Sequence, residues 1–472
     1  FKSSATYERA ALDQVWDYAL DLKNFHAASH ARTIVPILVA AGAGGQGPQA
    51  IVRAADRVLQ PLGCNAEGLR LLLRRLCAEL AGPGIDPDAW ARSAYQPTPT
   101  IIEAARVLYA RHGVEEITRN DAGAHNLAVT SGRVRELMES CRQRNTKAVC
   151  FITGVPGAGK TLVGLDLAAP GLDGKPHGVY LSGNGPLVKV LVEALARDEV
   201  KRCALQGERK RIGNARSAAK EFIQNVHHYR DDFFARPEAP PEHVAIFDEA
   251  QRAWDQPQLC AWLSRKKNIK DFERSESALL LEHVNRRQDW ALVVCLVGEE
   301  QEINTGEAGI EAWLEAVAEH FPNWEVHVPR AMPGLAGIAP ARAHIDPDLH
   351  LGVCMRSFRS EAVSGFVRAA LACDRAMAQD KLRDVAGNYP LVLTRDPGAA
   401  KRWLREHARG GDRAGLLVSS KAERLRPHAI DVRVKTDPVH WFLDAPSDLR
   451  SSNFLEAAAT EFDVQGLEVD WA

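Results

Sequence analysis

The sequence has no excess of charge of either sign. Its 59 Lys and Arg residues and 61 Asp and Glu residues leave a formal net charge of −2 over 472 residues. A protein of this charge does not attract nucleic acid through its overall field. Any nucleic-acid site must therefore be a local basic patch.

Long apolar runs and paired cysteines are also missing. No apolar stretch reaches the roughly 20 residues of a membrane-spanning helix, and we expect no signal peptide. The nine cysteines form no Cys-x-x-Cys pair, which argues against a zinc site and favours reduced thiols. These absences predict a cytoplasmic protein. The chain begins with Phe1 instead of Met, so we expect its natural N-terminus to lie upstream.

The most informative segment is residues 154–161, which match the pattern Gly-x4-Gly-Lys-Ser/Thr of phosphate-binding loops. A strand pattern over 148–153 precedes it and a helical pattern over 162–168 follows it, as the motif requires. The glycines let backbone N–H groups surround phosphate oxygens, while Lys160 would contact the β- and γ-phosphates and Thr161 would ligate Mg²⁺. The predicted nucleotide-binding residues are Gly154, Pro156, Gly157, Ala158, Gly159, Lys160 and Thr161.

Two further strand patterns end in polar residues. Asp248 and Glu249 follow the strand pattern 244–247, so Asp248 would hold Mg²⁺ and Glu249 would activate the attacking water. The pattern 291–298 precedes Gln301, whose amide would hydrogen-bond the γ-phosphate. Taken alone, the first site also fits an acidic helix N-terminus and the second a solvated turn. The phosphate loop upstream favours the functional interpretation of Asp248 and Glu249. For Gln301 both interpretations stay open.

In this order, the three elements resemble a superfamily 1 helicase motor. Residues 247–254, 297–309 and 460–471 are similar to the signature of the Schlafen group 3-like DNA/RNA helicase family of bacteria. The resemblance covers residues 100–472 and implies a motor that hydrolyses ATP with Mg²⁺ and moves along DNA or RNA, more readily single-stranded. It also implies a role such as phage defence or DNA repair.

The resemblance assigns further residues by their motif positions. Lys160, Glu249 and Gln301 would be catalytic, together with an arginine from the second lobe, Arg359 or alternatively Arg356. Residues Gln465, Gly466 and Glu468 would couple the nucleotide and its ribose to the nucleic acid. A last arginine motif is expected just beyond residue 472.

The fold class implied is α/β, with two stacked P-loop lobes of RecA type and a smaller N-terminal α/β domain. We expect the N-terminal domain at 1–95, a helical lead-in at 96–145, the first lobe at 146–330 and the second at 331–472. Strand patterns lie at 32–41 in the first of these segments and at 391–394 and 414–420 in the last.

Two groups of residues are candidates for nucleic-acid contacts. Ser182, Asn184 and Lys189 follow a strand pattern and would donate to phosphates, although a turn with a capped helix fits equally well. A basic run includes Arg209, Lys210 and Arg211, which would form a phosphate track. A solvated charged face is the more common reading of such a run.

The first residues resemble part of a PD-(D/E)XK nuclease. Lys2 would position the hydrolytic water and Gln14 would lie on the neighbouring helix, with the metal-binding acids upstream of residue 1. A plain α/β domain with Lys2 on its surface is the alternative. Three functions therefore compete with a translocating motor: a motor that loads a nuclease, a regulatory ATPase switch, and an ATP-held clamp.

Overall fold

The computed structural model of the protein describes all residues of the chain except 46, 49, 53, 55–56, 81, 83, 94–99, 111–120, 156, 170–177, 270–271, 299–308, 331–334, 353–357 and 387–389.

The N-terminal segment is a small α/β unit. Helices Arg9–Phe25 and Leu69–Glu79 accompany a two-stranded parallel sheet of β1 (Ile37–Val39) and β2 (Leu62–Cys64). The strand predicted over 32–41 is thus shorter than expected. Pro36 lacks a backbone N–H and interrupts the ladder, so that Ile34 is left in an isolated bridge with Val58.

An eight-stranded, all-parallel sheet forms the centre of the molecule. Its strands are β3 (Lys147–Gly154), β4 (Val179–Ser182), β5 (Ile223–Asn225), β6 (Val244–Asp248), β7 (Ala291–Gly298), β8 (Trp324–Val328), β9 (Ala343–Ile345) and β10 (His350–Leu351). Their order is β5-β4-β6-β7-β3-β8-β9, and β10 pairs with the end of β3. Because β9 and β10 follow residue 330, this sheet includes part of the segment assigned to the second lobe.

Both faces of the inner strands β3, β4, β6 and β7 are buried, which explains why these strands are almost entirely apolar. Along β3, Cys150 and Ile152 point into one core, and Val149 and Phe151 into the other. Helices pack on both faces because each parallel connection needs a crossover. The remaining helices are Pro87–Ala91, Ile101–Tyr109, Asp121–Arg144, Lys160–Ala168, Gly185–Leu205, Ile212–Phe222, Val226–Ala235, Gln256–Lys267, Glu276–Asn285, Glu311–His320, Phe358–Leu371, Arg375–Ala386, Pro397–His407, Pro438–Leu443 and Glu461–Val464. Among the described helices, none is long and apolar enough to cross a membrane.

The C-terminal segment contains a second small parallel sheet, β11 (Leu416–Val418) with β12 (Ala458–Thr460). The strand predicted at 391–394 is wrong, since these residues have no regular structure and Leu393 is 100% exposed. An apolar run without a partner strand or a covering helix cannot form a buried ladder. The segment is anchored by the fully buried Trp441, which packs with Val190 of the helix Gly185–Leu205. The fold is therefore mixed α/β around one large parallel sheet.

The helix Lys160–Ala168 packs so closely on the sheet that Gly164 has no room for a side chain. An added Cβ would lie 2.6 Å from Leu296 Cδ1 and 3.0 Å from Tyr180 Cε2. Both neighbours are buried, so we expect Gly164→Ala to lower the free energy of unfolding by about 1–3 kcal/mol. Urea denaturation would measure the change.

The matched control for this substitution is Gly132→Ala in the helix Asp121–Arg144. An added Cβ there meets no atom within 4 Å, and alanine should stabilise the helix by about 0.5–1 kcal/mol. Equal effects of the two substitutions would contradict the close packing of Gly164.

Candidate nucleotide-binding site

The phosphate-binding loop follows β3 with the backbone that its glycines permit. Gly157 and Gly159 have φ angles of 77° and 89°. Glycine adopts this left-handed conformation readily because it has no Cβ, whereas other residues disfavour it. The helix Lys160–Ala168 begins directly after Gly159, so its N-terminal N–H groups and positive dipole end adjoin the loop. Pro156 lies outside the described residues.

The start of the loop is held by β10. A Cβ at Gly154 would lie 2.7 Å from Leu351 Cβ, and the Val155 N–H donates to the Leu351 carbonyl at 3.2 Å. Lys160 Nζ donates to the carbonyls of Gly154 at 2.8 Å and Val155 at 3.3 Å. The ammonium group therefore lies within the loop whose backbone would surround a phosphate.

Asp248 ends β6 at the same edge of the sheet as the loop, although β7 lies between β6 and β3. The buried Tyr180 hydroxyl donates to Asp248 Oδ2 at 2.5 Å. Desolvation, followed by repulsion from Glu249, raises the pKa of Asp248 to about 7, while Tyr180 and Lys160 oppose the shift. A nearby cation would relieve this cost, so Asp248 and the Thr161 hydroxyl fit a Mg²⁺ ion by their oxygen chemistry.

Glu249 adopts a left-handed backbone with a φ angle of 52°, which is uncommon for a residue with a side chain. Its Oε2 accepts a hydrogen bond from Gln251 Nε2 at 2.5 Å. The Gln251 carbonyl oxygen, Oε1, accepts from the Gly298 N–H at 3.3 Å. Gln251 thus connects the carboxylate after β6 to the end of β7.

Neither Tyr180 nor Gln251 was assigned a role from the sequence. Gln251 is the last residue of the Asp-Glu-Ala-Gln motif, and its place in this motif could have indicated a role at the site. Tyr180 offered a weaker signal, the one hydroxyl-bearing ring in an apolar strand that ends at the site.

A cavity of about 380 Å³ joins several predicted residues. Thr161, Asp248 and Glu249 line one part of it, next to the phosphate loop. Another part is lined by residues that precede and follow helices elsewhere in the chain: Ser182, Asn184, Gln465 and Gly466. Residues as far apart in the chain as Thr161 and Gly466 therefore meet at one edge of the sheet.

Asn184 performs the structural role that its alternative interpretation predicted. Its Oδ1 accepts from the Leu187 N–H at 3.1 Å and caps the helix Gly185–Leu205. Its Nδ2 donates to the Gln465 carbonyl. The amide therefore connects β4 to the C-terminal segment, and Ser182 beside it is buried.

The basic run is only partly free of ion pairs. Lys210 pairs with Glu199 at 2.9 Å, and Arg216 contacts Glu193 at 2.5 Å. Arg209 and Arg211 are exposed and have no ion pair within the described part of the chain. Lys189 is exposed on the helix Gly185–Leu205.

The remaining predicted residues are not among those that the structure describes at this edge. Gln301, Arg356 and the side chain of Arg359 are outside the described residues, and Glu468 is exposed and does not line the cavity. In the N-terminal unit, the Lys2 N–H donates to the Val39 carbonyl and Gln14 Nε2 donates to the Tyr18 hydroxyl at 3.0 Å.

Comparison with known proteins identifies the chain by family. The family model described as Schlafen group 3, DNA/RNA helicase domain matches residues 147–472. The match begins at β3, the strand before the phosphate loop, and includes every residue that lines the cavity. No curated protein matches the chain.

The hydrogen bond from Tyr180 to Asp248 can be tested by its contribution to stability. Tyr180→Phe leaves the Asp248 carboxyl without this donor, and we expect the free energy of unfolding to fall by about 1–3 kcal/mol. Tyr229→Phe is the matched control, because the buried Tyr229 hydroxyl has no hydrogen-bond partner among the described residues. It should be neutral or slightly stabilising. A similar loss in both variants would show that the Tyr180 hydroxyl contributes little.

Proposed function

We propose a nucleic-acid-dependent ATPase activity for this chain, which belongs to the Schlafen group 3, DNA/RNA helicase domain family. The observation that carries the proposal is the cavity in which Thr161, Asp248 and Glu249 meet at the end of a parallel sheet. In such sheets, ligands bind outside the carboxyl ends of the strands. A helicase-like motor is the form of this activity that the family supports.

The phosphates of ATP would rest on the loop from Gly154 to Thr161. Its N–H groups and the helix N-terminus favour negative charge, and Lys160 would turn from the Gly154 carbonyl to a phosphate oxygen. Thr161 and Asp248 would hold Mg²⁺, which would neutralise charge on the phosphates.

Glu249 would accept the proton of the attacking water. Gln251 would act as a positioning residue, because its amide holds Glu249 Oε2 at 2.5 Å. Gln251 also accepts a hydrogen bond from the Gly298 N–H at the end of β7. A movement of the Glu249 side chain would therefore be transmitted through Gln251 to the end of β7, which precedes Gln301 in the chain. We propose Gln301 as the γ-phosphate contact and Arg359, or Arg356, as the arginine that stabilises transition-state charge.

The C-terminal segment would couple hydrolysis to nucleic acid. Gln465 and Gly466 line the same cavity as Glu249, and Asn184 contacts the Gln465 carbonyl. The exposed Arg209 and Arg211 would contact phosphates of a single strand, because among the described residues they have no acidic partner like that of Lys210. ATP would lie between the first lobe (146–330) and the second (331–472), and Glu468 would complete the ribose contact.

The first prediction from this proposal concerns the loop lysine, Lys160, and the general base, Glu249. Lys160→Ala should weaken ATP binding roughly ten- to hundredfold through loss of a charge-assisted contact of about 1.5–3 kcal/mol. Glu249→Gln should keep ATP affinity while hydrolysis falls about a hundred- to ten-thousandfold. Fluorescent nucleotide binding and phosphate release would separate the two effects. Parental turnover in either variant would contradict the role given to that residue.

The same phosphate-release assay with and without single-stranded DNA distinguishes the competing functions. Stimulation by DNA supports the motor. A DNA-independent rate indicates a regulatory switch, and binding without turnover indicates a clamp.

The second prediction concerns the nucleic-acid contacts. Arg209→Glu with Arg211→Glu should weaken single-stranded DNA binding and reduce its salt dependence by about one unit per lost contact. Arg375→Glu with Arg383→Glu is the matched control, since both arginines are exposed on another helix. Fluorescence anisotropy over a salt series would measure both slopes. Indistinguishable slopes would show that the 209–211 run is a solvated face.

A further inference from the structure

Two histidines and a glutamate converge at the edge of the main sheet, outside the cavity described above. Glu325 and His327 lie on β8, and His344 lies on β9. Side chains two residues apart on a strand point to the same face, and His327 and His344 are direct partners in the parallel β8–β9 pair. The sheet register therefore brings the three side chains together.

The spacing of the three side chains suits a metal ion better than hydrogen bonds. One nitrogen or oxygen atom of each lies within 4.8 Å of the other two. Glu325 Oε2 is 3.7 Å from His327 Nε2 and 3.9 Å from His344 Nε2, which is too long for a hydrogen bond. Ligands placed tetrahedrally at about 2.0–2.1 Å from zinc are about 3.3 Å apart. The rings of His327 and His344 are stacked with their centroids 4.6 Å apart, so at least one ring would have to turn for both to bind the same ion, and a water molecule would fill the fourth position.

His327 carries the strongest evidence for a ligand. The residue is 7% exposed, and its Nε2 has no hydrogen-bond partner among the described residues. A buried polar atom without a partner destabilises a fold, and a bound cation would satisfy it.

The carboxylate is already oriented for this role. Arg144 donates to Glu325 Oε1 at 2.7 Å and to Oε2 at 2.9 Å, and a carboxylate oxygen retains a second lone pair beside such a bond. Carboxylates that ligate metals are themselves usually hydrogen-bonded. Arg133, whose charge also acts on His327, pairs with Asp346, so its charge is compensated.

We propose that Glu325, His327 and His344 bind one divalent transition-metal ion, and that zinc is the ion whose nitrogen and oxygen preferences fit these donors. The ion would fasten the edge strand β9 to β8. The lack of a Cys-x-x-Cys pair argues only against a zinc site made of cysteines. Here strand pairing brings together ligands that are distant in the chain, and no zinc motif marks them in the sequence.

The test uses tag-free protein stripped with a chelator and titrated with ZnCl₂ in excess Mg²⁺. We expect one zinc equivalent, a visible spectrum of low-symmetry coordination when Co²⁺ replaces it, and a rise in Tm on binding. His344→Ala removes an exposed ligand and should lower zinc affinity at least about tenfold, and His344→Cys should restore it. His320→Ala is the matched control, because His320 is similarly exposed, pairs with Glu319 and is not one of the three clustered residues.

Asp248→Asn distinguishes zinc bound by the three clustered residues from zinc bound at the nucleotide site. This variant should still bind one equivalent of zinc. The proposal is overturned if the parent protein takes up no stoichiometric zinc, or if His344→Ala and His320→Ala bind it equally. Loss of the zinc equivalent in Asp248→Asn would place the ion at the nucleotide site and also refute the assignment. The experiment does not measure ATP hydrolysis. A negative result would therefore refute the zinc site without bearing on the proposed ATPase activity.

Discussion

Burial of the inner strands β3, β4, β6 and β7 on both faces confines their charged groups to the strand ends. Cys150, Ile152, Val149 and Phe151 show the two buried faces of β3, which leave no place for charge along the strand. The loop after β3 and the carboxylates after β6 therefore meet at one edge. Every other part of the site, including Tyr180 from β4 and Gln251 after β6, is arranged around this edge.

Two adjacent carboxyl groups at such an edge are costly to keep charged. The pKa of Asp248 is raised because it is desolvated and lies beside Glu249. The fold compensates with donors from three directions: the Tyr180 hydroxyl, the Gln251 amide and the Lys160 ammonium. These donors offset the negative charge of Asp248 and Glu249 only in part. A bound metal ion would offset the rest, so the arrangement favours cation binding.

The C-terminal segment around β11 and β12 reaches this edge, although these two strands form a sheet of their own. Trp441 packs on the helix Gly185–Leu205, and Arg197 of that helix pairs with Asp444 at 3.0 Å. These contacts bring Gln465 to Asn184 at the head of the same helix. The helix Gly185–Leu205 therefore connects the cavity to the C-terminal segment through its cap and its side-chain contacts.

The sequence by itself determined the elements whose signal is local. The glycines of 154–161, the β3, β4, β6 and β7 strand patterns and the family resemblance could all be read along the chain, because backbone freedom, apolar runs and motif order are local properties. Tertiary structure alone decided the partner of Tyr180, the bridge made by Gln251, the pairing of Lys210 with Glu199 and the meeting of His327 with His344. It also left 391–394 outside any sheet. Such contacts depend on strand order and register, which join residues far apart in the chain.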